Sequence, residues 1–357
     1  MRSCRIVCDF DAGIRTVPEN VWGLIRARMT AEYPLRPKMS ILSLPTLRWI
    51  NIYPTAGFFK ICDFPLYLAL PRTKLNYVDA MIALEKRVRS PIVDGLFYPE
   101  DMTTALAYMQ SMGLKRGKGG LARAIIAPHG AWEISGSLTG AAFASAGGRT
   151  GRKSPSRVVV MGPIHDTQIE GLFLSNSHSF QTPLGDLPVD QEASGWLESY
   201  SPLFKVDDIP HLHEHSIEIL LPFVKYFFPH ASIVPVLMGR PQEHYVSALA
   251  YALRAVFEPL MDDTLLVISF NMAMHSGEEA ALGMADECLR LFKEGKYGEL
   301  CLAFQNGRIA SCGGALFAAL LQSGLIDTAR PCITTDTPLS ARGERGGIAY
   351  YSAFSFV

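Results

Sequence analysis

Two histidines follow apolar, strand-like runs in the same way. Residues 125–129 read Ile-Ile-Ala-Pro-His, and residues 158–165 read Val-Val-Val-Met-Gly-Pro-Ile-His. In folds built from a sheet and helices, the ligand pocket tends to lie just beyond the carboxyl ends of the strands. One histidine in such a place is more often a hydrogen-bonded loop residue than a ligand, whereas two neutral imidazoles on rigid strand ends can meet at one cation. The repeated pattern therefore makes His129 and His165 candidate metal ligands.

A third candidate lies in a dense cluster of imidazoles and acids, which reads His-Leu-His-Glu-His-Ser-Ile-Glu at residues 211–218. The alternate spacing of its histidines predicts an extended segment that runs into an apolar helix. We interpret His211 and His213 as solvated loop residues with a capping role. Glu214 is equally compatible with a charge at a helix start, where the helix dipole favours it. His215 remains a candidate site residue.

The fourth candidate is Cys312, in the sequence Ser-Cys-Gly-Gly just where an apolar helix is predicted to begin. Partial positive charge from unpaired backbone amides at a helix start stabilises a thiolate, and a thiolate is a soft metal ligand. Taken alone, however, a cysteine in this position is more typical of a small buried hydrophobic residue.

The elements that position these residues alternate from residue 120 onward. Short β-branched runs predict strands, and longer segments with apolar residues three and four positions apart predict helices, which is typical of an α/β sheet covered by helices. The predicted strands are 123–127, 157–162, 171–175, 233–239, 265–270 and 348–356. The predicted helices are 101–112, 135–146, 214–228, 242–258, 276–293 and 313–323.

Local signals refine three of these boundaries. Asp101 and Ser135 are the predicted caps of the first two helices. The stretch 147–156 is rich in Gly, Lys, Arg and Ser, and it precedes a strand rather than opening a helix. It is therefore predicted to be an exposed connection and not a phosphate-binding loop.

The first eighty residues differ from the remainder in composition. They contain seven prolines and eleven Lys or Arg against six Asp or Glu, and they show no clear helical or alternating period. Residues 81–357 hold 22 basic and 28 acidic residues. We therefore predict a boundary near Met81, between an N-terminal extension (1–80) and an α/β domain (81–357). The extension is either a poorly ordered segment or an over-long start assignment with Met81 as the initiator.

Composition also excludes several classes of protein. Nearly half of the residues are apolar (48%), enough for a substantial core, and the formal charge is −1 with scattered Lys and Arg, which argues against a nucleic-acid binder. No apolar run of about eighteen residues and no secretory signal pattern occur, so we expect a cytoplasmic protein without a membrane span. The seven cysteines lack CxxC spacing, which argues against a disulfide framework or a structural zinc site.

The candidate residues stand in an order that resembles the Memo family, whose prokaryotic members are also called protein B of the AmmeMemoRadiSam system. The resemblance covers roughly three quarters of the chain and leaves out residues 1–80. The matching motifs are Arg-Ser-Pro-Ile-Val-Asp-Gly-Leu-Phe-Tyr-Pro at 89–99, Ala-Pro-His at 127–129, Gly-Pro-Ile-His at 162–165, Thr-Pro-Leu-Gly-Asp-Leu-Pro-Val-Asp at 182–190, Glu-His-Ser-Ile-Glu at 214–218, Leu-Pro at 221–222, Ile-Val-Pro-Val at 233–236 and Cys-Gly at 312–313.

The resemblance implies a three-layer α/β fold similar to that of the class III extradiol dioxygenases, with a central sheet covered by helices on both faces and a metal pocket. It implies that His129 and His165 are metal ligands, that Cys312 stands where the dioxygenases place a carboxylate, and that His215 is the nearby catalytic acid or base. Two imidazoles and a thiolate suit iron, or alternatively copper or zinc. Because a thiolate alters charge donation and redox tuning at the metal, dioxygenase activity does not follow from the fold.

One motif departs from the family pattern. Relatives usually carry a Ser-Ser-Asp-x-Ser-His type motif after a strand, whereas residues 269–275 read Ser-Phe-Asn-Met-Ala-Met-His. Asn271 cannot supply the negative charge that an aspartate would give to a histidine or a metal-bound water, so we expect weaker tuning of the metal. His275 lies one residue beyond the expected histidine, and we do not assign it to the site.

Two functions are compatible with these residues. The first is a metal-binding or accessory protein, which the altered segment 269–275 favours. Its expected partners are an AMMECR-like protein and a radical SAM protein, because these often accompany prokaryotic members of the family. The alternative is a metal-dependent oxidoreductase of the non-haem iron dioxygenase type, in which His215 transfers protons and an unknown small organic substrate fills the pocket.

Overall fold

The computed structural model describes residues 87–112, 122–146, 154–328 and 347–356, together with short strands at 7–10, 13–16, 331–333 and 339–342. The chain divides into two compact units, Met1–Glu85 and Lys86–Val357. In the first unit, the described part is an antiparallel pair of strands, β1 (Val7–Phe10) and β2 (Gly13–Thr16). Most of residues 1–80 lie outside the described residues, so their poor order and the alternative start at Met81 stay predictions.

The second unit contains the predicted α/β domain. Its strands are β3 (Val88–Arg89), β4 (Ala124–Ala127), β5 (Arg157–Pro163), β6 (Leu172–Leu174), β7 (Ser179–Phe180), β8 (Leu187–Pro188), β9 (Phe204–Val206), β10 (Ser232–Met238), β11 (Thr264–Ser269), β12 (Ala273–His275), β13 (Pro331–Ile333), β14 (Leu339–Arg342), β15 (Ile348–Tyr351) and β16 (Phe354–Phe356). Its α-helices are α1 (Met102–Ser111), α2 (Trp132–Ala146), α3 (Gln191–Tyr200), α4 (Asp208–His213), α5 (Leu221–Phe227), α6 (Glu243–Phe257), α7 (Glu278–Lys293), α8 (Tyr297–Gln305) and α9 (Gly314–Ser323).

An eight-stranded sheet forms the middle layer, with the strand order β13-β16-β4-β11-β5-β10-β6-β9. Its four central strands, β4, β11, β5 and β10, run parallel, whereas β16 and β6 are antiparallel to their central neighbours. The central strands are continuous apolar runs because both faces of the sheet are covered.

Alternate residues of the central strands enter two separate hydrophobic cores. In β5, Val159 and Met161 pack into the core that contains α6, α7 and α9. Val158 and Val160 pack into the opposite core, which contains α1, α2 and α5. Because side chains alternate along a strand, this division places helices on both faces. The predicted α/β fold, with a central sheet covered by helices on both faces, is confirmed.

Most predicted strands agree with the structure within one residue, but the run 348–356 was predicted as a single strand and forms two. β15 pairs with β12 and β14 in a small separate sheet, and β16 joins the central sheet.

The cap prediction is confirmed for Asp101, whose side chain accepts a hydrogen bond from the Thr104 amide at 2.9 Å. It is wrong for Ser135, because α2 already begins at Trp132. Most of the predicted connection 147–156 lies outside the described residues.

The predicted helix 214–228 is shorter than the apolar pattern indicates. Residues 214–217 are not helical, and a 3₁₀ turn at Glu218–Leu220 precedes α5, which carries a proline in its first turn. His211 and His213, predicted in an extended loop, instead lie in α4. His213 is exposed as predicted, but His211 is 2% exposed, so its interpretation as a solvated residue is wrong.

The strand order explains why distant residues meet. β11 lies between β4 and β5 and is parallel to both, so the carboxyl ends of these three strands share one edge of the sheet. His129 follows β4, His165 follows β5, and Ser269 ends β11. None of the described helices is long and apolar enough to cross a membrane.

Candidate metal centre

His129 is buried at the end of β4, and its two ring nitrogens have different surroundings. Nδ1 lies 2.7 Å from Ser269 Oγ, and this hydroxyl donates its own hydrogen to the Ser216 carbonyl at 2.7 Å. Because the hydroxyl has one hydrogen, it must accept from His129 Nδ1–H. Nε2 therefore carries the lone pair, and among the described residues it has no hydrogen-bond partner although it is buried. Burial, together with the neighbouring His165 and His215, holds the pKa of His129 well below its usual range.

His129, His165 and Cys312 come together at this edge of the sheet. One ring nitrogen of each histidine and the Cys312 sulfur lie within 4.8 Å of one another. The rings of His129 and His165 are nearly perpendicular, at 77°, with centroids 5.2 Å apart. The convergence that the sequence required is therefore present, and the role of the three residues as metal ligands stays a prediction. The buried Nε2 of His129, which has no hydrogen-bond partner within the described part of the chain, and the neighbouring soft sulfur fit a transition-metal ion.

His165 lies between the Glu214 carboxylate and the Cys312 side chain. Its Nδ1 lies 3.0 Å and 3.1 Å from the two carboxylate oxygens of Glu214, and its backbone amide donates to the same carboxylate at 2.7 Å. Burial opposes a positive charge on His165, but interactions with Cys312 and Glu214 outweigh it and raise the pKa of the imidazole to about 10. In the metal-free protein, His165 is therefore an imidazolium at neutral pH.

His215, the candidate acid or base, lies directly beside the three candidate ligands. Its ring stacks on His165 with centroids 4.8 Å apart and meets the edge of His129 at 6.2 Å. Phe97, from the segment before α1, packs against its ring at 5.3 Å. Burial lowers the pKa of His215, so the ring is neutral at pH 7. Its position is suitable for proton transfer, and its role as the acid or base stays a prediction.

Glu214 is the site residue that sequence reasoning did not identify. It was considered as a charge at a helix start, but it directly follows the last residue of α4. Its carboxylate is 4% exposed and also accepts from the His215 and Ser216 amides, at 2.8 and 2.7 Å. Burial would raise the pKa of Glu214, but the hydrogen bond and positive charge of His165 lower it to about 2. A glutamate directly before a candidate histidine was the available signal, because carboxylates often orient metal-bound histidines.

The chain is similar to known proteins over the segment that contains these residues. A family model described as "Memo-like protein" matches residues 89–332. The chain belongs to the Memo family. MEMO1 family proteins from Thermotoga neapolitana and Aeropyrum pernix are 30% and 26% identical to it, over 55% and 75% of this chain and 73% and 99% of their own. Among solved structures, that of the uncharacterized protein JW3007 from Escherichia coli K12 matches 65% of this chain and 98% of its own, at 14% identity and a TM-score of 0.37.

In this Memo-family chain, the altered motif at 269–275 contributes to the structure around the candidate ligands. The Asn271 side-chain oxygen accepts a hydrogen bond from the His129 backbone amide at 3.2 Å. The backbone amide of Asn271 donates to the Cys312 carbonyl at 2.9 Å. Asn271 therefore connects two candidate ligands without adding charge. His275 is exposed, and its Nδ1 accepts from the Gly277 amide at 3.0 Å. It does not belong to either group of potential metal ligands found in the described part of the chain.

Gly313 fixes the position of Cys312, and its replacement by alanine is expected to be costly. Its φ is +101°, and an added Cβ would lie 2.5 Å from the Ser269 carbonyl oxygen. We expect Gly313→Ala to lower the free energy of unfolding by about 2 kcal/mol or more, because backbone strain and a backbone clash add together. Urea denaturation measures this. Gly283→Ala, in an exposed turn of α7 with open space around it, is the matched control and should be neutral or stabilising. Equal losses of unfolding free energy in both variants would contradict this role of Gly313.

Proposed function

We propose that this Memo-family protein binds one transition-metal ion between His129, His165 and Cys312. The observation that carries the proposal is the buried lone pair of His129 Nε2, which has no hydrogen-bond partner among the described residues. A buried nitrogen acceptor without a partner costs free energy unless something fills the place of the donor. A cation held jointly with His165 and Cys312 would fill it.

The ligand set limits the class of metal. Two imidazoles and one thiolate suit iron, and alternatively copper or zinc, whereas calcium and magnesium prefer oxygen ligands. Three protein ligands also leave at least one coordination position for a small ligand. When bound, the metal would supply a Lewis-acidic position at the edge of the sheet. The surrounding residues of the protein would orient the three ligands.

We propose further that the protein acts as a binding or accessory protein, with an AMMECR-like protein and a radical SAM protein as its candidate partners. Family association supports these partners. Asn271 supports the accessory role, because a neutral amide stands next to His129 and Cys312 where relatives usually carry an aspartate. Without that negative charge, activation of a metal-bound water is expected to be weaker.

A second candidate function is a metal-dependent oxidoreductase of the non-haem iron dioxygenase type. The observation in its favour is His215, which is neutral at pH 7 and stacks on His165. A neutral imidazole beside a metal site can accept a proton from a small organic substrate. Oxygen consumption with catechols as test substrates would distinguish the two functions, since an accessory protein should show none above a metal-only control.

The primary proposal is tested by metal binding to the full-length protein under reducing, oxygen-free conditions. Titration with Fe²⁺ or Zn²⁺ is expected to reach one equivalent. Because the ion must displace the proton that His165 carries below a pKa of about 10, affinity should rise with pH, by about tenfold or more per unit. Chelator competition at several pH values measures this. A protein that binds neither ion would refute the proposed function and leave the fold intact.

A further inference from the structure

Glu214 is the most densely hydrogen-bonded side chain of the site. Its carboxylate accepts from three backbone amides, those of His165, His215 and Ser216, at 2.7, 2.8 and 2.7 Å. It also forms a hydrogen bond with His165 Nδ1 at 3.0 Å, and His215 Nδ1 lies 3.4 Å from the same oxygen, within ion-pair distance. These contacts fix the orientation of the carboxylate.

The backbone of Glu214 is anchored as well. The Arg89 guanidinium, which is 1% exposed and paired with Glu218, donates to the Glu214 carbonyl at 3.1 Å. The same guanidinium donates to the His211 carbonyl at 2.9 Å. Both ends of the residue are therefore fixed by groups buried inside the domain, so its carboxylate can orient neighbouring rings at little further entropic cost.

An ionised carboxylate accepts hydrogen bonds and cannot donate them. A ring nitrogen that faces it is therefore favoured in the protonated form. In His165 this leaves Nε2 as the nitrogen available to a metal ion. In His215 it leaves Nε2 as the nitrogen that can take up a proton from a ligand.

Glu214 could instead be read as a metal ligand, because one atom each of His165, Glu214 and His215 lie within 4.8 Å of one another. The hydrogen bonds of Glu214 argue against this reading, because both of its carboxylate oxygens already accept from backbone amides.

We infer that Glu214 is a positioning residue, whose single carboxylate fixes the Nδ1–H tautomer of both His165 and His215 and so links a metal ligand to the acid or base beside it. The part that concerns His165 rests on the proposed metal site. The part that concerns His215 applies to the metal-free protein as well, because the contact of that ring with Glu214 needs no ion.

The tautomers can be read directly in the full-length protein labelled with ¹⁵N at histidine. Long-range ¹H–¹⁵N NMR distinguishes Nδ1–H from Nε2–H, and single substitutions of His165 and His215 by Gln assign their signals. We expect His215 to be the Nδ1–H tautomer with and without Zn²⁺, and His165 to be Nδ1–H once Zn²⁺ is bound. An Nε2–H tautomer at His215 would overturn the inference. If no histidine signal responds to Zn²⁺, the metal site fails, while the His215 tautomer in the metal-free protein still decides the inference.

A variant gives an independent test. Glu214→Gln keeps the size of the side chain but introduces a donor, so we expect a change in the His215 tautomer and a 10–100-fold loss of Zn²⁺ affinity. Glu258→Gln, an exposed glutamate paired with Arg254, is the matched control. A folded Glu214→Gln protein with the parent's tautomers and affinity would overturn the inference. If the variant fails to fold, the tautomers of the parent protein still give the answer.

Discussion

His129→Ala and Cys312→Ser are each expected to lower the affinity of the protein for Co²⁺ by more than about 100-fold. Each substitution removes one of the three atoms that lie within 4.8 Å of one another, and two remaining ligands hold a divalent ion far more weakly than three. Changes to residues that merely orient a ligand already cost about 10–100-fold. Competition with a coloured chelator measures the affinity.

The two variants should also differ from each other in their spectra. Thiolate-to-cobalt charge-transfer absorption is expected in the parent protein and, at saturating Co²⁺, in His129→Ala, but not in Cys312→Ser. His213→Ala, an exposed histidine of the same cluster, and Cys301→Ser, a free thiol on α8, are the matched controls. Parent-like affinity in both site variants, or equal losses in the controls, would reject the ligand assignment.

The sequence predicted two of the candidate ligands from their positions at strand ends. His129 and His165 come after β4 and β5, and β11 lies between those strands, so the geometry of a parallel sheet brings the two histidines to one edge. Cys312 was predicted from the residue type and the start of an apolar helix. Its approach to the histidines depends on the pairing of Asn271 with Cys312, which joins residues about forty positions apart and cannot be read from a local pattern.

Other features were missed for related reasons. The interactions of Glu214 with His165 span 49 residues, and only the folded chain brings the two together. The apolar run after His215 suggested one long helix, but residues 214–217 are not helical, and the His215 and Ser216 backbone amides donate to the buried Glu214 carboxylate instead. Short helices such as α4 carry too few turns for a periodic signal.

Glu218→Ala is expected to lower the free energy of unfolding by about 3–5 kcal/mol, the usual cost of leaving one partner of a buried ion pair alone. The Glu218 carboxylate pairs with the Arg89 guanidinium, and both side chains are 1% exposed. It also accepts from the Ile92 and Val93 amides, each at 2.9 Å, and from the Tyr98 hydroxyl at 2.8 Å. Chemical denaturation measures the loss. Glu258→Ala, at an exposed pair on the surface, is the control and should cost no more than about 0.5 kcal/mol.

The cost should fall when Arg89 is also replaced, because the guanidinium then no longer remains buried without its carboxylate. We expect Arg89→Met with Glu218→Ala to be less destabilising than the sum of the single substitutions, which a double-mutant cycle measures. Arg89 also donates to the Glu214 carbonyl, so Glu218→Ala should weaken metal binding as well as the fold. A loss no larger than that of Glu258→Ala would mean that water reaches the cluster, and that segment 89–98 is held against the site by packing rather than by this ion pair.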